Sequence, residues 1–385
     1  MDRLQQIWKE WYIQKILGIW LVWMLGVFLV SALIIDRIPL SESYSLTGFS
    51  EALSVWTNWD GNNYIVIARE GYPNGPESLY AFFPLLPWLI RIVQAFPGIS
   101  YPFAGMIVSR LALLGALVYL VKLVEDQWGS RVAFRSAWYL LVFPTAFFYF
   151  AVYTESLFLF TTLAAWYYSS KQNWVLAAIF GFFAPLTRLV GILVAGVIGW
   201  QYMSSIQWKV SRIRWPIVAA FVPFLGLAVY SFQTWIQADN PLLFLEVQKY
   251  WAEIHGRGGY HNPLVILGRE VWRVLRELPT RGMYAIGNLD LWFSLVPFIV
   301  LIWASMKKSL PWVFLIWSWL VWVIPIISGS LVSMPRYVAV LFPLSILLAI
   351  WSEDRPFIEQ TYLWTAGLVM AVLLVRFVSI GHWVA

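Results

Sequence analysis

The sequence predicts an all-α fold, a polytopic transmembrane helical bundle of about eleven spans, and three observations predict it. Of the 385 residues, 61% are hydrophobic and only 12% are charged, where ordinary globular domains run nearer half and a quarter. Apolar runs approaching the length needed to cross ~30 Å of hydrocarbon recur along the chain. Basic residues gather in alternate connections between those runs, as orientation in a membrane requires. With 26 Trp, 26 Phe and 19 Tyr against so few charges, the composition excludes a soluble enzyme, a disordered chain, a coiled coil and a nucleic-acid binder. There is no cysteine, which removes disulfides, thiol nucleophiles and zinc–thiolate sites.

The first run, 16–35, follows Lys9 and Lys15. Its outer end lacks a small-residue cleavage signature, so it reads as a retained span and not as a signal peptide. Further runs lie at 101–124, 134–152, 155–169, 173–187, 189–204, 216–236, 286–305, 310–327, 337–350 and 362–380. Several fall below the ~17 residues that cross a bilayer, so they are expected to be broken, tilted or shielded by protein.

With the N-terminus inside, Lys9, Lys15, Arg131, Arg135, Lys171, Lys209, Arg212, Arg214, Lys307 and Lys308 all fall on the cytoplasmic side. This needs two crossings in 173–204, despite Pro185 and Arg188 within that stretch. Two long polar segments, 36–100 and 237–284, then lie outside a single transmembrane domain covering 1–385. The stretch from Leu79 to Phe96 is amphipathic, with aromatic residues at both ends. Arg91 and several prolines argue against a span, so it is expected to lie in the interface plane.

The most informative segment is Trp59-Asp60-Gly61-Asn62-Asn63-Tyr64, continuing through Ile67-Ala68 to Gly71-Tyr72. Gly61 is expected to open a helix with Tyr64, Ile67 and Ala68 on one face, and Gly71 to stop it. Asp60 has two readings. It could cap that helix, as Asp often does, or serve as a general base in a cleft at headgroup depth.

These residues resemble the motif of the GPI mannosyltransferase 2 (PIG-V) family and its bacterial relatives. The resemblance continues in Phe82-Phe83-Pro84-Leu85-Leu86-Pro87, in Tyr153-Thr154-Glu155-Ser156-Leu157-Phe158, and in Arg188 with Gly191. It goes on through Asn240-Pro241-Leu242, Phe244, Gln248 and Trp251 to Pro335-Arg336-Tyr337 and Phe342-Pro343. The family implies a GT-C-type glycosyltransferase that takes a hexose, mannose by family, from a polyprenyl phosphate. The hydroxyl of a lipid-linked or glycan acceptor would receive it at the extracytoplasmic face. By carry-over Asp60 is the catalytic base. Trp59, Asn63, Tyr64, Glu155, Gln248, Trp251, His255 and Tyr337 are then expected to meet substrate. Many eukaryotic members have His where this chain has Asn63, which points to a bacterial-type member of the cytoplasmic membrane.

The chemistry agrees with that assignment. A glycosidase needs a second carboxyl group to protonate its leaving oxygen, whereas a phosphate leaves as a stable anion. One carboxylate plus cationic stabilisation then suffices for a single displacement with inversion. Arg336 and Arg188 lie near predicted outer ends of spans and could grip phosphate oxygens in bidentate fashion. Alternatively they bridge to Glu155, or snorkel to the interface. Arg110 and Arg376, inside apolar runs, are equally open to a phosphate role. Glu155 could bind sugar or metal, cap the helix that follows it, or pair with an arginine. No acidic cluster suggests a metal site, so neither cofactor nor obligate metal is expected.

In the second outer segment His255 and His261 do not have zinc spacing. Arg269, Arg273 and Arg276 share one helical face, which either meets anionic lipid headgroups or is solvated. Two rival functions remain in view. A transporter or flippase would carry an internal repeat around a midplane site, and none is visible. A non-catalytic scaffold subunit would leave Asp60 as a simple cap.

Overall fold

The computed structural model describes residues 2–35, 53, 55–73, 77–254, 262–281, 286–327 and 331–379. Among these residues every regular element is a helix. The first, α1, is Asp2–Ile35, longer at its N-terminus than the apolar run alone suggests. The segment 36–100 contributes α2 (Asp60–Glu70) and α3 (Leu85–Gln94). The long helix α4 (Tyr101–Leu141) follows, then α5 (Glu155–Ser170), α6 (Trp174–Phe183) and α7 (Val194–Ser205). Next comes α8 (Val222–Ala238), and the segment 237–284 carries α9 (Leu243–Ile254) and α10 (Pro263–Arg281). The chain ends with α11 (Ile286–Lys307), α12 (Trp312–Ile327), α13 (Met334–Ala339), α14 (Phe342–Trp351) and α15 (Pro356–Val378).

Most of the expected runs fall on helices; what differs is their length. Among the described residues five helical stretches are long and apolar enough to cross a membrane: 12–35, 101–141, 215–238, 289–307 and 356–378. The shorter apolar helices lie at 85–94, 174–183, 189–205, 312–327 and 342–351. Among the described residues the α4 helix is the longest. Its 41 residues would extend about 60 Å if straight, but Gly129 sits inside it at φ 82°. That backbone suits glycine best, and it turns the chain back on itself. As a result Trp20 of α1 donates to the carbonyl of Arg110, while Trp23, one turn on, donates to that of Leu141.

The run expected as a span over 134–152 is helical only to Leu141. Pro144 follows, and residues 146–149 form a single 3₁₀ turn. This irregular stretch is deeply buried: Phe147, Phe148, Tyr149, Ala151, Val152 and Tyr153 have no exposure. Backbone without regular pairing is tolerated at this depth only when protein satisfies it. Here the Val152 amide donates to Trp56, and the Ser156 hydroxyl to Tyr149.

Short helices elsewhere start where local chemistry satisfies them. Ser100 caps α4 by accepting from the Phe103 amide, with Pro102 in the first turn. Asn173 caps α6 through the Leu176 amide. In the first outer segment α3 is shorter than the amphipathic stretch that predicts it. Leu85, Leu86, Pro87 and Ile90 are buried while Ile92 and Phe96 stay exposed. Arg91 reaches back to the carbonyls of Ala68 and Arg69, closing the C-terminal end of α2, where cations are favoured. Gly71, at φ 82°, ends that helix as expected.

Glu155 opens α5 and Lys171 follows its last residue, so they mark opposite ends of a helix about 24 Å long. At the Lys171 end lie the ion pairs Lys171–Asp126 (2.9 Å) and Arg135–Glu359 (2.7 Å). The acid of the sequence motif lies at the other end, with Glu155.

Candidate active site

Asp60 is the first residue of α2, and it does not cap it. The preceding position is Trp59, at φ 60°, and no side chain closes the helix start. A positive φ is costly for a tryptophan, and here the turn is clamped on both sides. Tyr153 donates to the Asn58 carbonyl (3.0 Å), and Gly61 lies against the Val152 carbonyl, where an added Cβ would sit at 3.3 Å. The carboxylate is thereby free for another partner.

That partner is Arg336. Its Nη1 donates to Asp60 Oδ2, while its Nε donates to Glu155 Oε1 at 2.8 Å. Arg188 Nη2 donates to the same Glu155 oxygen at 3.0 Å. Glu155 is wholly buried, the side chains of Arg336 and Arg188 are 7% and 12% exposed, and that of Asp60 is 28% exposed. Two acids and two guanidiniums thus form one neutral cluster, whose most accessible member is the acid of the motif. The Arg336 guanidinium lies over the Tyr153 ring (4.6 Å) and the Phe148 ring (5.4 Å). Arg188 lies over Tyr337 at 5.2 Å. Glu155 Oε2 and Arg188 Nη1 are buried without a hydrogen-bond partner.

Each member is held by its own element. Arg336 lies in α13, which follows Ser333 in a left-handed conformation and has Pro335 in its first turn. Thr145 and Tyr149 of the irregular stretch donate to the carbonyls of Pro335 and Ala339. Arg188 is extended, immediately before a 3₁₀ turn at Leu189–Leu193. Gly191 in that turn passes so close to Ala184 that a Cβ would meet its carbonyl oxygen at 2.2 Å. Only glycine permits this approach, and the approach sets where Arg188 can reach.

The structure brings together Asp60, Glu155, Arg188, Arg336 and Tyr337 from the sequence-based set. Trp59 adjoins them and is half-buried, as is Asn63 one turn along α2. Tyr64 lies on the Asp60 side of α2, buried edge-on against Phe82 at 5.3 Å. Burial, with Asp60 nearby, pushes its hydroxyl pKa up, so it stays a neutral phenol.

Of the readings open to Glu155, pairing with an arginine is the one its Oε1 makes, to Arg336 and to Arg188. Gln248 donates to the Ala81 carbonyl (3.4 Å) and ties α9 to the first outer segment. Arg110 lies over the Phe150 ring at 3.9 Å, beside α1, and is not a member of the cluster. Trp251 belongs to α9, but its side chain lies outside the described residues, as do His255 and His261. Sequence reasoning missed the aromatic bed of Phe148 and Tyr153. The Tyr153-Thr154-Glu155 motif was the available signal for Tyr153, and nothing local marked Phe148. No three His, Cys, Asp or Glu side chains cluster to hold a metal among the described residues.

Residues 38–214 match the family described as Mannosyltransferase (PIG-V). No curated protein sequence matches the chain. Its fold is similar to that of ArnT from Cupriavidus metallidurans bound to undecaprenyl phosphate. The TM-score is 0.55 at 18% identity, covering 93% of this chain and 64% of that one. The apo ArnT structure from the same organism gives 0.51 at 15% identity, over 94% and 75%. The chain thus spans slightly less than two thirds of the first of these. The chain is a multi-pass membrane protein with an ArnT-like fold, and its residues 38–214 carry the sequence pattern of the PIG-V mannosyltransferases.

Proposed function

We propose that this protein is an inverting glycosyltransferase that moves a hexose, mannose by its family pattern, from a polyprenyl phosphate to an acceptor hydroxyl. The acceptor is a lipid-linked or glycan molecule, and transfer takes place at the extracytoplasmic face of a bacterial cytoplasmic membrane. The observation that carries this reading is the Asp60–Arg336–Glu155–Arg188 cluster, in which one partly exposed carboxylate shares a guanidinium with a fully buried one.

The reaction assigns one task to each group. The acceptor oxygen attacks the anomeric carbon from the side opposite the phosphate. The bond from that carbon to the phosphate oxygen breaks, and the polyprenyl phosphate leaves with the electron pair. Asp60 takes the hydroxyl proton. Arg336 and Arg188 stabilise the charge growing on the leaving phosphate, and the reading includes no obligate metal. Before donor arrives, Asp60 Oδ2 is occupied by Arg336 Nη1. A phosphate competing for Nη1 frees that oxygen to accept the hydroxyl proton. Glu155 keeps Nε fixed throughout, so only the terminal nitrogens need to change partner.

Two further observations support a lipid-borne donor. A cavity of about 670 Å³, almost wholly apolar, lies between the second half of α4, α11 and α14. Val338 and Ala339, two and three residues beyond Arg336, line it, so an isoprenoid there would have its phosphate near the cluster. The ArnT structure of this fold holds undecaprenyl phosphate. The extracytoplasmic assignment is supported by the placement of Lys171 and Arg135 at the opposite end from Asp60.

The test is transfer from a labelled polyprenyl-phosphate mannose by purified protein, with D60N and D60A as controls. Use of a nucleotide sugar in place of the lipid donor would overturn the donor assignment. Equal turnover by wild type and both variants would overturn the base.

A further inference from the structure

The α10 helix carries a surface that glycosyl transfer does not use. Its buried side is Ile266, Leu267, Glu270 and Val274, all at most 6% exposed. At about 100° per residue, Leu264, Val265, Trp272 and Leu275 fall on a different arc roughly 100° wide. All four are exposed, by 57% to 69%. Arg269, Arg273 and Arg276 occupy the arc between these two. With Trp272, Glu277 and Thr280 they line a recess of about 500 Å³.

Four arginines, Arg269, Arg273, Arg276 and Arg281, stand on this helix against two acids, Glu270 and Glu277. The buried Glu270 carboxylate is 2.6 Å from Arg273 Nη2 and 3.9 Å from Arg269 Nε, so one acid faces two arginines. Arg273 Nε is buried without a hydrogen-bond partner. The next helix, α11, contains the membrane-length stretch Leu289–Lys307, which puts α10 at the mouth of a span. An exposed apolar arc bordered by a basic one, at that level, fits the boundary between acyl chains and headgroups.

We propose that α10 is an interfacial helix that docks on anionic phospholipid headgroups. Leu264, Val265, Trp272 and Leu275 enter the acyl boundary, and Arg269, Arg273 and Arg276 take the headgroup phosphates. Each arginine near such a surface favours docking roughly fivefold. This surface is independent of the transfer chemistry, and its test does not read activity.

The chain has no cysteine, so L275C supplies a single thiol for an environment-sensitive fluorophore. The full-length protein is reconstituted into vesicles of phosphatidylcholine with or without phosphatidylglycerol, and quenching by aqueous iodide is measured. Phosphatidylglycerol is expected to shield the probe severalfold more. The gain should vanish at ~1 M salt, where the screening length falls to about 3 Å, and in R269Q/R273Q/R276Q. A probe at L320C, within α12, should stay shielded in every case and reports correct reconstitution of the variants. Equal quenching in both lipids would overturn the proposal. Equal protection by soluble glycerol phosphate in neutral vesicles would overturn it in favour of a free phosphate ligand.

Discussion

Arg336 and Asp60, 276 residues apart in the chain, are ion-paired through Nη1 and Oδ2, while the same guanidinium is fixed on Glu155 through Nε. In the proposed reaction Oδ2 becomes available once a second anion claims the arginine, which couples engagement of the acceptor to the presence of donor.

Replacing Asp60 by Asn keeps the size and an acceptor oxygen for Arg336 but removes the base. Transfer should fall by roughly 10²–10⁴-fold, with thermal unfolding in detergent close to wild type. Turnover with labelled donor, compared with a melting curve, separates this from a simple folding defect.

Lysine at position 336 keeps the charge but lacks the planar fork that serves two carboxylates at once. R336K should raise the donor KM and lower kcat together, and R336Q should lose about 10²–10³-fold in kcat. Steady-state kinetics over a range of donor concentrations checks both.

Glu155 has no exposed surface and is the common partner of two arginines. Removing one member of such a buried set leaves charge uncompensated, which costs about 3–5 kcal/mol. E155A should therefore melt well below wild type, and E155Q, which retains an acceptor oxygen, should lie between them. Unchanged melting of E155A would mean that the pairing contributes nothing to the fold.

At Gly191 a Cβ would stand 2.2 Å from the Ala184 carbonyl oxygen, which is backbone and cannot yield locally. G191A should shift the turn that carries Arg188, lowering both melting temperature and donor affinity. Calorimetry together with donor titration reads the two effects.

Val296 lines the apolar cavity and is 56% exposed, so a larger side chain there can be accepted without disturbing the core. V296W should raise KM for a long-chain polyprenyl donor and leave a short-chain analogue unaffected. Equal KM changes for both would place the isoprenoid elsewhere.

Local features of the sequence determined much of this protein. Apolar runs and basic clusters are short-range signals, and they located the helices and the two ends of the bundle. The Trp59-Asp60-Gly61 segment marked the start of a helix and its acid, and Gly71 marked its stop. Tertiary structure alone decided the rest. It chose Arg336 and Arg188 over Arg110 as partners of the acids, selected arginine pairing among the roles open to Glu155, and sent Gln248 to the Ala81 backbone. It also stopped the run over 134–152 at Leu141. The physical reason is one of range. Hydrophobicity and turn preference act between neighbours in the chain, whereas a guanidinium finds its carboxylate only after helices separated by up to 276 residues have packed.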